Sequence, residues 1–154
     1  MFLRDIDDIN IRRRQHTVDL ALAALGGTTE GHTVAVWGAA FKPDSDDVRD
    51  SPALYVAQAL RDAGARVVVH DPRAMDNAKK LFPSLEYAES ALGAATDADV
   101  LLLLTEWREY LDLDPASALS SMRTPTVIDA RNSLDAARWR AAGWTYRALG
   151  RPTA

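Results

Sequence analysis

From Thr33 onward, short apolar runs rich in β-branched residues alternate with stretches of helical periodicity, and turn residues separate the two. That alternation predicts a parallel sheet whose strands are joined by crossover helices. Strands are expected at residues 33–37, 66–70, 85–87, 100–104, 126–129 and 144–148. The run at 100–104 is apolar at every position, as a central strand covered by helices on both faces should be. Helices are expected over residues 51–63, stopped by Gly64, and over 74–81, 88–94 and 134–142. Ahead of the body, Leu3, Ile6, Ile9, Val18, Leu22 and Leu25 recur at roughly helical intervals, with Arg12, Arg13 and Arg14 between them and Gly26-Gly27 at the end. Such a helix would be on the order of 35 Å long, more than one face of the body needs, so its surplus stripe calls for a partner. The expected fold class is α/β, a doubly wound parallel sheet of about five to six strands with an N-terminal helical arm. The arm takes residues 1–30 and the body residues 31–154.

At 154 residues the chain suits one α/β body able to bury a substantial core. A net charge of −4 argues against a general nucleic-acid binder, because a phosphate backbone demands a basic face. Only Lys42, Lys79 and Lys80 are lysines, which makes the place of Lys42 in a loop informative. There is no cysteine, so disulfides, thiolate metal sites and thiol catalysis are excluded for this chain together. No apolar run approaches the ~20 residues of a membrane span, and the acidic start Asp5, Asp7, Asp8 is unlike a secretory signal. The expectation is a cytoplasmic protein without a membrane partner.

Candidate chemistry gathers between Val34 and Pro52, where an apolar run ends at Gly38 and opens into a loop with Lys42, four aspartates and Arg49. Lys42 supplies a mobile point charge, Arg49 a planar fork for a phosphate, and Ser51 a hydroxyl near free helical N–H groups. These residue types suit a nucleotide or sugar nucleotide. Asp44, Asp46 and Asp47 could suggest magnesium, but carboxylates ahead of a helix more simply cap it and favour its positive end, so no metal site is assigned. The turn Gly38-Ala39-Ala40-Phe41 lacks the three-glycine dinucleotide fingerprint, so the sheet is Rossmann-like with poor credentials for NAD, and Asp71 reads as a turn residue beside Pro72. His16, His32 and His70 show no ligand spacing, and Trp107 is expected to pack a strand end.

The segment Gly38, Phe41, Lys42, Pro43, Asp47, Arg49, Ser51, Pro52 resembles the Gly-x-x-Phe-Lys-Pro-x-x-x-Asp-x-Arg-x-Ser-Pro pattern of the UDP-glucose/GDP-mannose dehydrogenase family, in its C-terminal UDP-binding domain. Asp71-Pro72, Thr105-Glu106-Trp107 and Ile128-Asp129-x-Arg131-Asn132 follow in family order, and the resemblance runs from about Asn10 onward. Two departures are Ala39, where an aliphatic residue is common, and Ile11, where many relatives are acidic. The resemblance implies that Phe41, Lys42 and Arg131 contact a UDP-sugar substrate and that Arg49 faces the pyrophosphate of the NAD cofactor. It implies a full enzyme, an oxidoreductase that oxidises UDP-glucose to UDP-glucuronate through a cysteine thioester with two NAD reductions. It also implies a homodimer built on the long helix. Lacking cysteine, this chain is expected to be inactive alone, with no catalytic residue of its own and NAD held mainly by an absent domain. A stand-alone nucleotide-binding or regulatory module is the alternative. A receiver-like signalling domain fits poorly, because no phosphoacceptor ends a central third strand. Lys42, Arg49 and Arg131 are expected together at the carboxyl edge of the sheet.

Overall fold

Six short segments form the parallel strands β1 (Thr33–Trp37), β2 (Arg66–His70), β3 (Glu86–Tyr87), β4 (Val100–Leu103), β5 (Thr126–Asp129) and β6 (Thr145–Ala148) of a computed structural model that describes residues 2–149, with side chains from residue 10 onward. Their order, β3-β2-β1-β4-β5-β6, is that of a doubly wound dinucleotide-type sheet. β1, β4 and β5 are buried at every position, since helices cover both faces. The helices are α1 (Phe2–Ala24), α2 (Pro52–Asp62), α3 (Met75–Leu81), α4 (Ala91–Ala95), α5 (Arg108–Leu111), α6 (Pro115–Ser121) and α7 (Ala136–Ala141).

Most differences from the expected elements trace to caps. α4 starts at Ala91 instead of residue 88 because the Ser90 side chain accepts from the Gly93 N–H, which fixes the first turn there. Asp135 caps α7 in the same way and moves its start two residues inward. α5 and α6 were not expected: helices of four and seven residues are too short to show a period. α6 does carry a local sign, Asp114 at the N-cap followed by Pro115.

The arm differs in a larger way. Val18, Ala21 and Leu25 are buried in the same core as the sheet, and Leu22 packs against its edge. This part of the stripe therefore finds its partner within the body. The side chains of Leu3, Ile6 and Ile9 lie outside the described residues.

Close approach shapes the carboxyl edge of the sheet. Gly38 ends β1 at φ +105, where any Cβ would run into Thr105, whose hydroxyl donates to the Ala40 carbonyl at 2.8 Å. Glycine is required there on both counts. Asp71, following β2, does more than turn the chain. Its Oδ2 accepts from the Ala39 N–H (2.8 Å), the Ala40 N–H (2.9 Å) and Trp107 Nε1 (3.1 Å), and its Oδ1 accepts from the Arg73 and Ala74 N–H groups. One buried carboxylate thus joins the loops after β1, β2 and β4. Beneath it, Trp37 stacks on Tyr110 with ring centroids 5.0 Å apart. The Tyr110 hydroxyl donates to the His70 carbonyl (2.9 Å) and lies 2.8 Å from His70 Nδ1, so the neutral ring carries its proton on Nδ1 and donates it back.

Two expected outcomes follow from this core. Asp71→Asn puts an amide donor against N–H donors and should cost roughly 3 kcal/mol or more, seen as a lower urea midpoint at unchanged slope; a loss under about 0.5 kcal/mol would show that the five donors find other partners. Burial of His70 disfavours its imidazolium and lowers its pKa below the ordinary 6.5. The folded state then binds fewer protons, so this stability is present above about pH 6.5 and is lost as pH falls below it. Between pH 7 and 5 the unfolding free energy should decline more steeply than in His70→Gln, by up to ~1.4 kcal/mol per pH unit. Parallel profiles would exclude His70 as the source.

Candidate functional site

Sheet order sets the loops after β1, β4 and β5 side by side, at the place where the winding reverses, and α1 packs beside them against α2, β4 and β5. Ligands of doubly wound sheets collect at that switch point. A cleft of about 310 Å³ opens there. Its apolar wall is Pro52, Ala53, Val56, Leu104, Ala130 and Leu149, and its polar groups are Asn10, Arg13, Arg14, Thr17, Lys42 and Arg131, with Phe41 beside them. An apolar slot with a few converging cations is the form of a site for an anionic ligand that also has a flat or sugar-like part.

Each cation is held differently. Lys42 makes no ion pair or hydrogen bond among the described residues and is exposed, so its charge is free for a ligand. Phe41 next to it is 51% exposed, although its N–H is tied to the Asp47 carbonyl at 2.8 Å. An exposed ring in a fixed loop can cover a base or a sugar face. Arg131 is the most constrained. Asp129, fully buried at the end of β5, accepts the main-chain N–H groups of Arg131, Ser133 and Leu134 and the Tyr146 hydroxyl. Arg131 Nε donates to Glu106 Oε2 at 2.8 Å, so the ion pair that forms is with Glu106 and with neither Asp129 nor Asp135. Arg14 donates to the Asp50 carbonyl at 3.1 Å and lies 5.3 Å from the centroid of the Tyr55 ring, which docks α1 onto the loop after β1.

Arg49 stands apart. It lines a separate depression with Asp46, Asp47, Asn77 and Lys80. Its fork is engaged by Asp47, with Nε to Oδ1 and Nη2 to Oδ2 both at 3.0 Å, and those hydrogen bonds hold the Asp47 carboxyl down at about 2. The structure brings Phe41, Lys42 and Arg131 to one cleft and leaves Arg49, 85% exposed at its side chain, outside it. All three cations lie on loops at the carboxyl edge of the sheet, as expected from parallel order, but Arg49 does not line the cleft that Lys42 and Arg131 share.

Other loop residues serve the backbone. Asp44 and Asp50 take left-handed conformations, with φ 62 and 51, which short polar side chains tolerate better than most. The helix cap is Ser51 and not an aspartate: its Oγ accepts from the Leu54 N–H and donates to the Ala39 carbonyl at 2.7 Å, so that buried hydroxyl is not open to a phosphate. Among the described residues no cluster of three or more histidines and carboxylates is placed to hold a metal. A dinucleotide in the usual position does not fit this domain either, because the Ala39 and Ala40 N–H groups that would cradle a pyrophosphate already donate to Asp71. Sequence reading missed Arg13, Arg14 and Glu106. The Arg12-Arg13-Arg14 cluster was visible as charge, but nothing local shows that the helix carrying it packs over the loops of β4 and β5.

The model of the UDP-glucose/GDP-mannose dehydrogenase family, UDP binding domain, matches residues 35–136. The UDP-glucose 6-dehydrogenase of Rhizobium meliloti (strain 1021) is 43% identical over 144 residues, which cover 94% of this chain and 33% of that protein. Among solved structures, a UDP-glucose dehydrogenase from the hyperthermophilic archaeon Pyrobaculum islandicum superposes with a TM-score of 0.77 at 33% identity, covering 94% of this chain and 31% of the other. An NDP-N-acetyl-D-galactosaminuronic acid dehydrogenase from Methanosarcina mazei Go1 gives a TM-score of 0.79 at 29% identity, over 91% of this chain and 30% of the other. This chain therefore spans about a third of the length of the curated relatives it matches. With a matched stretch that runs from within β1 through β5 and includes Lys42 and Arg131, the chain belongs to the UDP-glucose/GDP-mannose dehydrogenase family and corresponds to its C-terminal, UDP-binding domain.

Proposed function

We propose that the cleft between α1 and the loops of β1, β4 and β5 grips the diphosphate and neighbouring sugar of a UDP-sugar. The observation that carries this reading is the meeting of unpaired Lys42, constrained Arg131 and exposed Phe41 on one apolar-walled cleft at the switch point. Lys42 would follow the phosphates as a mobile charge, Arg131 would present a fixed fork, and Phe41 would shield the ligand from water. The whole protein would be an NAD-dependent oxidoreductase converting UDP-glucose to UDP-glucuronate; its similarity to UDP-glucose 6-dehydrogenases supports the dehydrogenase part of this reading. No oxidation step is placed on this chain, which has no cysteine and whose turn amides do not fit NAD. Arg49, exposed beyond the cleft, would face a cofactor bound elsewhere, using the N–H groups left over from Asp47. Residues 1–30 would connect this domain to the middle of the enzyme and pair with a second copy, a role for which Ile11, 53% exposed on α1, is available.

Calorimetry on this chain tests the assignment: UDP should bind more tightly than NAD, and Lys42→Ala should weaken UDP by about 1.5–3 kcal/mol through loss of a charge-assisted hydrogen bond. NAD binding tighter than UDP, or an unchanged affinity in Lys42→Ala, would contradict it. Light scattering tests the pairing. A dimer that becomes monomeric in Ile11→Glu supports an α1 interface, and a monomer in both rejects it.

A further inference from the structure

We infer that Glu106 is a positioning residue, which holds the Arg131 guanidinium by its Nε so that the two terminal nitrogens stand ready as a preformed phosphate fork. The inference rests on the nucleotide reading of the cleft. Glu106 follows β4 and Arg131 follows β5; these are neighbouring parallel strands paired at Leu103 and Asp129, so the two loops leave the sheet side by side. The contact is a single hydrogen bond, Nε to Oε2 at 2.8 Å, with side-chain exposures of 36% for Arg131 and 24% for Glu106. Neither terminal nitrogen of Arg131 has a hydrogen bond among the described residues. A pair that served stability alone would gain from fork-on-fork geometry, as Arg49 and Asp47 show in the same protein. Here the fork is left open.

Two further observations point the same way. Glu106 Oε1 is buried and has no hydrogen-bond partner among the described residues, an arrangement that costs folding free energy and is therefore unexpected for a residue kept for the fold. Arg131 is also fixed at its other end, by the Asp129 carboxylate on its main-chain N–H at 3.0 Å. A long side chain held at both ends loses less rotamer freedom when a ligand arrives, which raises affinity without any new contact. Lys42 is the contrast, with nothing holding its ammonium among the described residues.

Charge makes the idea decidable, because a carboxylate beside an anion site repels the anion by Coulomb's law. If Glu106 acted through charge alone, its removal would tighten phosphate binding. If it acts by positioning, its removal weakens binding.

The experiment is calorimetry on the full chain with UDP and with inorganic pyrophosphate, using Glu106→Ala, Glu106→Gln, Glu106→Asp, Arg131→Ala and the Glu106→Ala/Arg131→Ala double variant. Glu106→Ala should weaken both probes by about three- to tenfold. Glu106→Asp keeps the charge but falls a methylene short of Nε, and should weaken them similarly. Glu106→Gln, whose amide oxygen can still accept from Nε, should stay within about twofold of the parent or bind more tightly. The double variant should be no weaker than Arg131→Ala alone, since the two residues act as one unit. Should Glu106→Ala not fold, the opposite responses of the Asp and Gln variants still decide. Tighter or unchanged binding in Glu106→Ala, or additive losses in the double variant, overturns the positioning role while UDP binding by the parent keeps the nucleotide reading. A parent that binds neither probe overturns both.

Discussion

A buried carboxylate with five N–H donors around it organises the functional edge of this protein. Asp71 sits just past β2 and collects the amides of Ala39, Ala40, Arg73 and Ala74 together with the Trp107 indole. Ionised carboxylates in low dielectric are costly unless fully paired, and when fully paired they fix geometry strongly. This one fixes the turn after β1, from which Phe41 and Lys42 project, against the end of β4. It also fills the place where a phosphate would lie in a dinucleotide-binding sheet of the same strand order. The cations of the cleft stand away from that position, on α1 and on the loops after β1 and β5.

Asp129 repeats the device three strands along the sheet, at the end of β5. Fully buried at the end of β5, it gathers three main-chain N–H groups and the Tyr146 hydroxyl, and so shapes the loop that carries Arg131. Each aspartate is spent on the backbone, and each leaves a basic side chain facing outward from a loop that cannot drift. The cleft between those loops is closed on its remaining side by α1, docked through Arg14 on the Asp50 carbonyl and over Tyr55. A helix that begins the chain thus completes a site otherwise made at the ends of strands.

This arrangement suits a domain that works as part of something larger. The chain matches about a third of the length of its relatives, and its cleft is cationic, in a chain without cysteine. The Oε1 of Glu106, buried and without a hydrogen-bond partner among the described residues, is a feature a folding role alone does not explain.

Much of this was legible from local pattern. Alternating strand-like runs and helical stretches located all six strands, most plainly β1, β4 and β5, which are buried on both faces and read as apolar segments. The segment from Gly38 to Pro52 and the Asp129-x-Arg131 motif named Phe41, Lys42 and Arg131 through family resemblance, and parallel topology put them at one edge. What the linear pattern could not carry was which donor each carboxylate would meet. Asp71 read as a turn residue because three of its five partners are more than 30 positions away in sequence. The loop aspartates read as helix caps because a left-handed backbone at Asp44 and Asp50 depends on how the loop is tied down. Family resemblance turned Arg49 toward a cofactor, and the linear pattern did not show that its fork would engage Asp47 two residues away. Helical periodicity established that α1 exists; only packing decided that Val18, Ala21 and Leu25 would enter this core and that Arg13 and Arg14 would line the cleft. Local sequence sets backbone preference and which faces are apolar, and long-range pairing of charge with donors is settled when the loops of separate strands come together.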